Sequence, residues 1–401
     1  MSDTTSLRRA AGFSLIELMI SIVIGMLALV FATRLFATSE QSKNVSMGAS
    51  DAMQNGMQAL FSISQDAAQA GWGLNDDLIG GCNTVFSDTK GFVLPTFQRS
   101  DGVTVSPMAA VVIKANGEQP DSITLMSGSS PTGTGAVGLS EKATSGASSA
   151  ISDRVAFAFR KDDAVLFVPL PVAGGATRCA LAQLSANPTT TDGRDTLPLA
   201  QGDGARFNRS GGIGVDYNAN EARIFNLGPA ATLSLKTWTV KDGFLQLRAS
   251  NLAGASTAPQ SVIDNVVSIK AQYGFDTRGT FNLSDGTAVG KWSSDMYNAD
   301  SSPVTGDQGD FRRIVALRLA IVARSKQPDR PDAAGKCKTT TVKPVVFAEE
   351  SPRGVTTSPQ SVDVAVTGDR ADWTCYRYRV FETVVQLRNL SWRPTAEVTP
   401  P

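Results

Sequence analysis

The sequence contains no histidine. That excludes a Ser-His-Asp or Cys-His catalytic arrangement and any histidine-ligated zinc or haem. Cysteine is scarce: Cys82, Cys179, Cys337 and Cys375 are the whole set in 401 residues, far apart and with no Cys-x-x-Cys pair. A zinc ribbon or a thioredoxin-type redox motif is therefore not expected. Neither sign of charge is in excess, 37 basic side chains balancing 37 acidic ones, so nothing indicates a nucleic-acid partner. The sequence has no Gly-x-Ser-x-Gly, no Gly-x-x-x-x-Gly-Lys-Ser/Thr and no Gly-x-Gly-x-x-Gly opening a helix. No residues are left on which an enzyme or a cofactor site could be built, and a chain without catalysis or cofactor is expected. No proline precedes Pro95, and no repeat of fixed period is present.

Against these absences stands one long apolar run. After Phe13 the chain is almost wholly apolar for about 20 residues, the length that crosses a bilayer core as a helix. The run is longer than the apolar region of a cleavable secretory signal and no Ala-x-Ala site follows it, so it is expected to stay in the mature protein. Arg8 and Arg9 on its short side predict that this side is cytoplasmic. Everything beyond Arg34 then faces the periplasm or the cell exterior. Glu17 interrupts the run one turn in, where an ionised side chain costs about 3 kcal/mol. Either it is paired within the membrane, or the helix later exchanges lipid for protein.

Gly12-Phe13, with an acid four residues beyond Phe13, a short basic leader before it and an unbroken apolar run behind it, resembles the class III signal of type IV pilins and pseudopilins. The resemblance implies that a membrane prepilin peptidase cuts after Gly12 and that Phe13 becomes the N-methylated first residue. It also implies that Glu17, then the fifth residue, contacts the terminal amine of a neighbouring subunit. The stretches Val266–Gly274, Ile314–Ala320 and Phe381–Leu390 resemble PilW-type minor pilins in spacing and wording. The fold expected is α+β and pilin-like: one long N-terminal helix, membrane-spanning in its first half, packed on an elaborated antiparallel β-sheet head. The divisions expected are a leader at 1–12, a transmembrane half-helix at 13–36, a periplasmic half-helix at 37–73 and a β-rich head at 74–401.

Phe13 to about Ala70 reads as one helix, ended by Gly71-Trp72-Gly73. Met53, Met57, Leu60, Phe61, Ser64 and Ala68 recur at steps of three and four, which predicts one buried face. Major pilins usually carry a proline in the membrane half; here local melting would have to use Gly25, Gly48 or Gly56. Strands are predicted over 109–114, 122–126, 154–160, 164–168, 178–184, 222–227, 232–240, 243–248, 266–275, 314–324, 341–347 and 376–390, many alternating as antiparallel strands do. Lys241-Asp242-Gly243 signals a hairpin. Gly128–Ala150, nearly all Ser, Thr, Gly and Ala, reads as a flexible surface insertion.

An even number of cysteines in an exported head predicts two disulfides. Three connectivities are open; the sequential one, Cys82 with Cys179 and Cys337 with Cys375, is favoured. Asp295, Asp300, Asp307 and Asp310 crowd one polar loop, with Asp276 and Asp285 upstream. Calcium favours such clusters, but the spacing is not that of an EF-hand, and a solvated acidic loop is expected. Trp238, Trp292, Trp373 and Trp392 read as core or sheet-face residues, with Trp373 placed to pack on a disulfide through Cys375.

The function that the resemblance implies is structural: a minor pilin that primes type IV pilus assembly and sits near the tip, anchored in the inner membrane beforehand. Its implied partners are the prepilin peptidase, other minor pilins, the major pilin and a candidate tip adhesin. Two alternatives stay open, a minor pseudopilin of a type II secretion system and a membrane-anchored periplasmic binding module or adhesin that never polymerises.

Overall fold

The computed structural model describes residues 14–130, 135–172, 175, 177–279 and 286–391. One helix, α1 (Leu15–Gln69), runs 55 residues without a break, roughly 82 Å at the usual rise per residue. Helix-favouring composition and the lack of proline account for its length, and it passes through Gly25, Gly48 and Gly56 unbroken. It stops where Ala70 turns extended, at φ −59° and ψ 145°. Gly71 and Gly73 follow at φ +84° and +68°, conformations that an L side chain resists.

The head carries three larger sheets. The one that seats the helix has four antiparallel strands in the order Lys291–Ser293, Val266–Phe275, Ile314–Arg324, Tyr378–Gln386. Its two middle strands are buried along their whole length, on both faces. Ile314–Arg324 accordingly reads as a near-continuous apolar run, whereas Val266–Phe275 buries Ser268, Lys270 and Gln272 on one of its faces. The charged residues within them are paired, while the buried Ser268 Oγ and Gln272 Oε1 have no hydrogen-bond partner among the described residues. Lys270 Nζ donates to the carbonyls of Gly117 and Gln119 at 2.9 and 3.1 Å and to the Asp121 carboxylate. Arg318 reaches Glu382 at 2.9 Å and the Glu349 carbonyl at 2.7 Å.

A five-stranded antiparallel sheet, Gln260–Asp264, Phe244–Ala249, Ser234–Lys241, Ser122–Ser127, Val111–Lys114, joins the same core. Its predicted hairpin is present: Asp242 and Gly243, at φ 51° and 77°, form the two-residue loop between Lys241 and Phe244. The six-stranded sheet runs Pro107–Met108, Cys82–Val85, Cys179–Gln183, Asp163–Pro169, Ala222–Pro229, Ala136–Gly138. One of its pairs, Cys82–Val85 with Cys179–Gln183, is parallel. Disulfides join Cys82 to Cys179 and Cys337 to Cys375.

Three expectations are corrected. Residues 155–159 alternate in sequence but form no strand: Ala158 sits at φ 68° and Phe157 is 83% exposed. Side chains take the backbone groups that a ladder would use, Asp195 accepting from Ala156 N, Asn226 donating to Ala158 O and Asp163 accepting from Arg160 N. Only Val345–Val346 of the run 341–347 is extended in a sheet. The Ser/Thr/Gly/Ala segment 128–150 is not a bare surface loop. It supplies Ala136–Gly138 to a sheet and buries Val137, Leu139, Ala143 and Ala150.

Candidate functional site

The stalk helix has two halves of opposite character. From Leu15 to Glu40 it is apolar, with mean hydropathy 2.6, and none of it is covered by the head. Three of its hydroxyls bond back to the helix: Ser21 donates to Glu17 O at 2.7 Å, Thr33 to Val30 O at 2.9 Å and Thr38 to Leu35 O at 2.9 Å. Such back-bonding removes the need for water.

Glu17 lies in the first turn of this half. Its carboxylate accepts from the N–H of Ser14 at 3.0 Å, while Ser14 Oγ accepts from Ile16 N at 3.4 Å. The two residues close a reciprocal N-terminal cap. Ser14 followed three residues later by Glu17 is the sequence signal for that cap, and the reading from composition passed over it. Gly12 and Phe13 lie outside the described residues.

From residue 48 the helix docks. The seam that meets the head is Gly48, Ala52, Gly56, Ala59, Ile63, Ala67 and Ala70, all buried. This overturns the predicted face. Met53, Met57 and Phe61 are 55, 55 and 63% exposed, Ala68 is exposed, and Leu60 and Ser64 are only half-buried. Small residues win the seat because a helix must come close to a sheet whose own side chains, Leu317, Leu319, Ile321 and Phe381, already fill the gap.

Polar contacts then fix the register. Asp66 holds Lys236 Nζ at 2.5 Å and Trp238 Nε1 at 2.9 Å. Asn55 donates to Asp264 O and Oδ1 at 3.1 and 2.9 Å. Asn389 caps the far end, donating to the carbonyls of Gln69 and Ala70 at 3.0 and 3.2 Å.

An exposed apolar half-helix with an acid in its first turn, continued by a half-helix seated on an antiparallel sheet, is the arrangement of a pilin stalk and head. Two family models match the chain: the prokaryotic N-terminal methylation motif over residues 7–33, and Type IV Pilus-assembly protein W over residues 235–389. The chain is a type IV pilin-like protein with a PilW-type domain. No curated protein and no solved structure matches it. The PilW-type match holds the whole four-stranded seat of the stalk, together with Trp238, Asp264 and Asn389 that clasp it.

Elsewhere in this pilin-like head the acidic residues divide. Among the described residues, Asp300, Asp307 and Asp310 bring one carboxylate oxygen each within 4.8 Å of one another. Asp310 is fully buried, and burial pushes its carboxyl up from the usual range, against the lowering by the backbone N–H groups that it accepts. Those are Gly306 at 2.7 Å, Ala299 at 2.6 Å and Asp300 at 3.3 Å. Asp307 caps the short helix α2 (Gln308–Arg312), accepting from Asp310 N. The cluster therefore organises its loop from within, where a solvated acidic surface was expected. Asp295 is not part of it, Asp276 is held by Arg278, and Asp285 lies outside the described residues.

The five tryptophans divide, Trp72 being 48% exposed. Trp238 and Trp292 are buried, and Trp373 packs in the satellite core beneath the four-stranded sheet. Trp392 lies outside the described residues.

Proposed function

We propose that this type IV pilus-related minor pilin primes filament assembly and sits near the tip. The observation that carries the reading is the uncovered half of α1: 26 predominantly apolar residues, Leu15–Glu40, with no head contact, Glu17 near their start and no other charge before Arg34. Such a surface is stable in lipid before assembly and among other stalks afterwards, and in neither place is a lone charge welcome. In this reading cleavage after Gly12 frees the amine of Phe13, which is then methylated, and Glu17 exchanges its cap on Ser14 for the amine of a neighbouring stalk. The pair acts as a register device, since a stalk docked out of step buries two unpaired charges.

The tip location is supported by the size of the head. Between the stalk and the PilW-type match, residues 74–234 build the six-stranded sheet and a second hydrophobic core of their own. A head enlarged in this way is easier to place at the end of a helical lattice than within it. The head is placed in the periplasm before assembly, on a single membrane span, and the partners are the prepilin peptidase, other minor pilins, the major pilin and a tip adhesin.

Intact-mass analysis of the protein from pilus-producing cells tests the first step. The expected chain begins at N-methyl-Phe13, and Gly12→Val blocks the cut. A wild-type chain that retains residues 1–12 contradicts the reading.

A further inference from the structure

Sheet edges in this head are short with one exception. Among the described residues the edge strands are Lys291–Ser293, Gln260–Asp264, Val111–Lys114, Pro107–Met108, Ala136–Gly138, Thr189–Thr191 and Ser149–Ile151, none longer than five residues. The two-stranded ribbons are shorter still. Tyr378–Gln386 is nine residues long, pairs on one side with Ile314–Arg324 in unbroken register, and has no described strand on the other.

Its parity is fixed by the neighbouring bonds. Leu387 N donates to Val315 O and Ser325 N to Arg377 O, so odd-numbered residues bond inward. The N–H and C=O groups of Val380, Glu382 and Val384 therefore point out of the sheet, and none has a partner among the described residues. Natural edges of this length are blunted with charged side chains, proline or a bulge. This one has no proline and no bulge, and of its two charges Glu382 is engaged by Arg318 and Phe347 N, leaving Arg379; Val380 and Val384 are 38 and 39% exposed beside it.

We infer that this edge docks an extended segment of another pilin-type subunit, which adds to the four-stranded sheet as a further strand; the inference rests on the assembly reading above. The open row of backbone donors and acceptors calls for a strand. The position calls for a neighbouring stalk-bearing subunit. Gly56 touches Phe381 in the edge strand, so the exposed Met53 and Met57 stand within one helical turn of it. A stalk packed on those methionines brings its own head beside the edge. Arg379, exposed and without an ion-pair partner among the described residues, selects an acidic residue level with it. Val380 and Val384 select apolar ones.

The test places a photo-crosslinking amino acid at Gln386, and separately at Met57, in the full chain in pilus-producing cells. Val380→Pro with Val384→Pro removes two outward N–H groups and no ladder bond, so purified full-length protein in detergent should keep its Tm. Thr383→Pro removes an inward one and should melt early. The Gln386 adduct should map to an extended segment of a pilin-type subunit and fall by about tenfold or more in the double-proline variant, two hydrogen bonds being lost. Should that variant fold poorly, Val380→Lys with Val384→Lys must give the same loss. An adduct only with a second copy of this chain, or one unchanged in the variants, overturns the inference. So does its absence while Met57 adducts persist, which leaves the assembly reading standing. Absence at both positions overturns the two together.

Discussion

Gly56 lies directly beneath the ring of Phe381: a Cβ on Gly56 would stand 2.1 Å from the ring's Cε2. The stalk can approach the sheet this closely only because the helix has no side chain there. Gly56→Val should therefore lift the helix from its seat, at a cost of about 1–3 kcal/mol from overpacking. Phe381→Ala, which costs stability alone, should restore much of the loss when combined with it. Melting of the four proteins of the cycle checks this, with non-additivity as the expected outcome.

Asp66 is the second clasp. Asp66→Ala leaves Trp238 Nε1 and Lys236 Nζ without their carboxylate in a half-buried setting. A loss of about 1–3 kcal/mol is expected, chiefly from the stranded indole donor. Limited proteolysis should then cut first within residues 48–69, while the disulfide-bonded part of the head stays intact.

The two bridges should be present in protein made in the periplasm. Alkylation without reduction is expected to label none of the four cysteines, and four labelled thiols would contradict the pairing. Replacing Cys337 and Cys375 by serine should cost on the order of 2–5 kcal/mol.

Asp310 gives a pH signature with an unusual sign. Its carboxyl is pushed up by burial, so the folded protein holds this proton more tightly than the unfolded chain. The stabilisation from protonation is present at low pH and is lost as pH rises through the raised value. Asp310→Asn abolishes this dependence and loses one acceptor for the loop N–H groups. Wild type should be the more stable at pH 7, and its lead in Tm over Asp310→Asn should widen as pH falls toward 4. A lead that narrows contradicts the assignment.

The sequence made some of this architecture plain and hid the rest for identifiable reasons. Ile314–Arg324 is visible because a strand buried on both faces is nearly all apolar, and Val266–Phe275 because its apolar residues, largely β-branched and aromatic, alternate with Ser268, Lys270 and Gln272. The alternating run 155–159 misleads because its neighbours Asp163, Asp195 and Asn226 capture the backbone, a tertiary event that no local pattern records. The stalk's faces are inverted for a different reason. Hydrophobicity ranks Met and Phe above Gly and Ala, so Met53, Met57 and Phe61 look like the core face. Packing against a crowded sheet instead selects Gly48, Ala52, Gly56 and Ala59 by size. The apolar residues Met53, Met57 and Phe61 are left exposed. Glu17 is legible as an anomaly in an apolar run, and its cap on Ser14 is legible as well in the Ser-x-x-Glu spacing, though the apolar run around it draws attention to the charge instead.

The central claim is that Glu17 serves assembly rather than anchoring, and crosslinking from Met57 in pilus-producing cells tests it most directly. Glu17→Ala removes the acid from within the apolar run, so membrane insertion should be kept or improved. The head, which Glu17 does not touch, should melt as in wild type. Adducts between Met57 and the stalks of other pilins should nevertheless fall steeply, with Glu17→Asp intermediate because the charge remains and the reach does not. If Glu17→Ala gives Met57 adducts and surface pili at wild-type levels, the acid has no part in assembly and the account is contradicted.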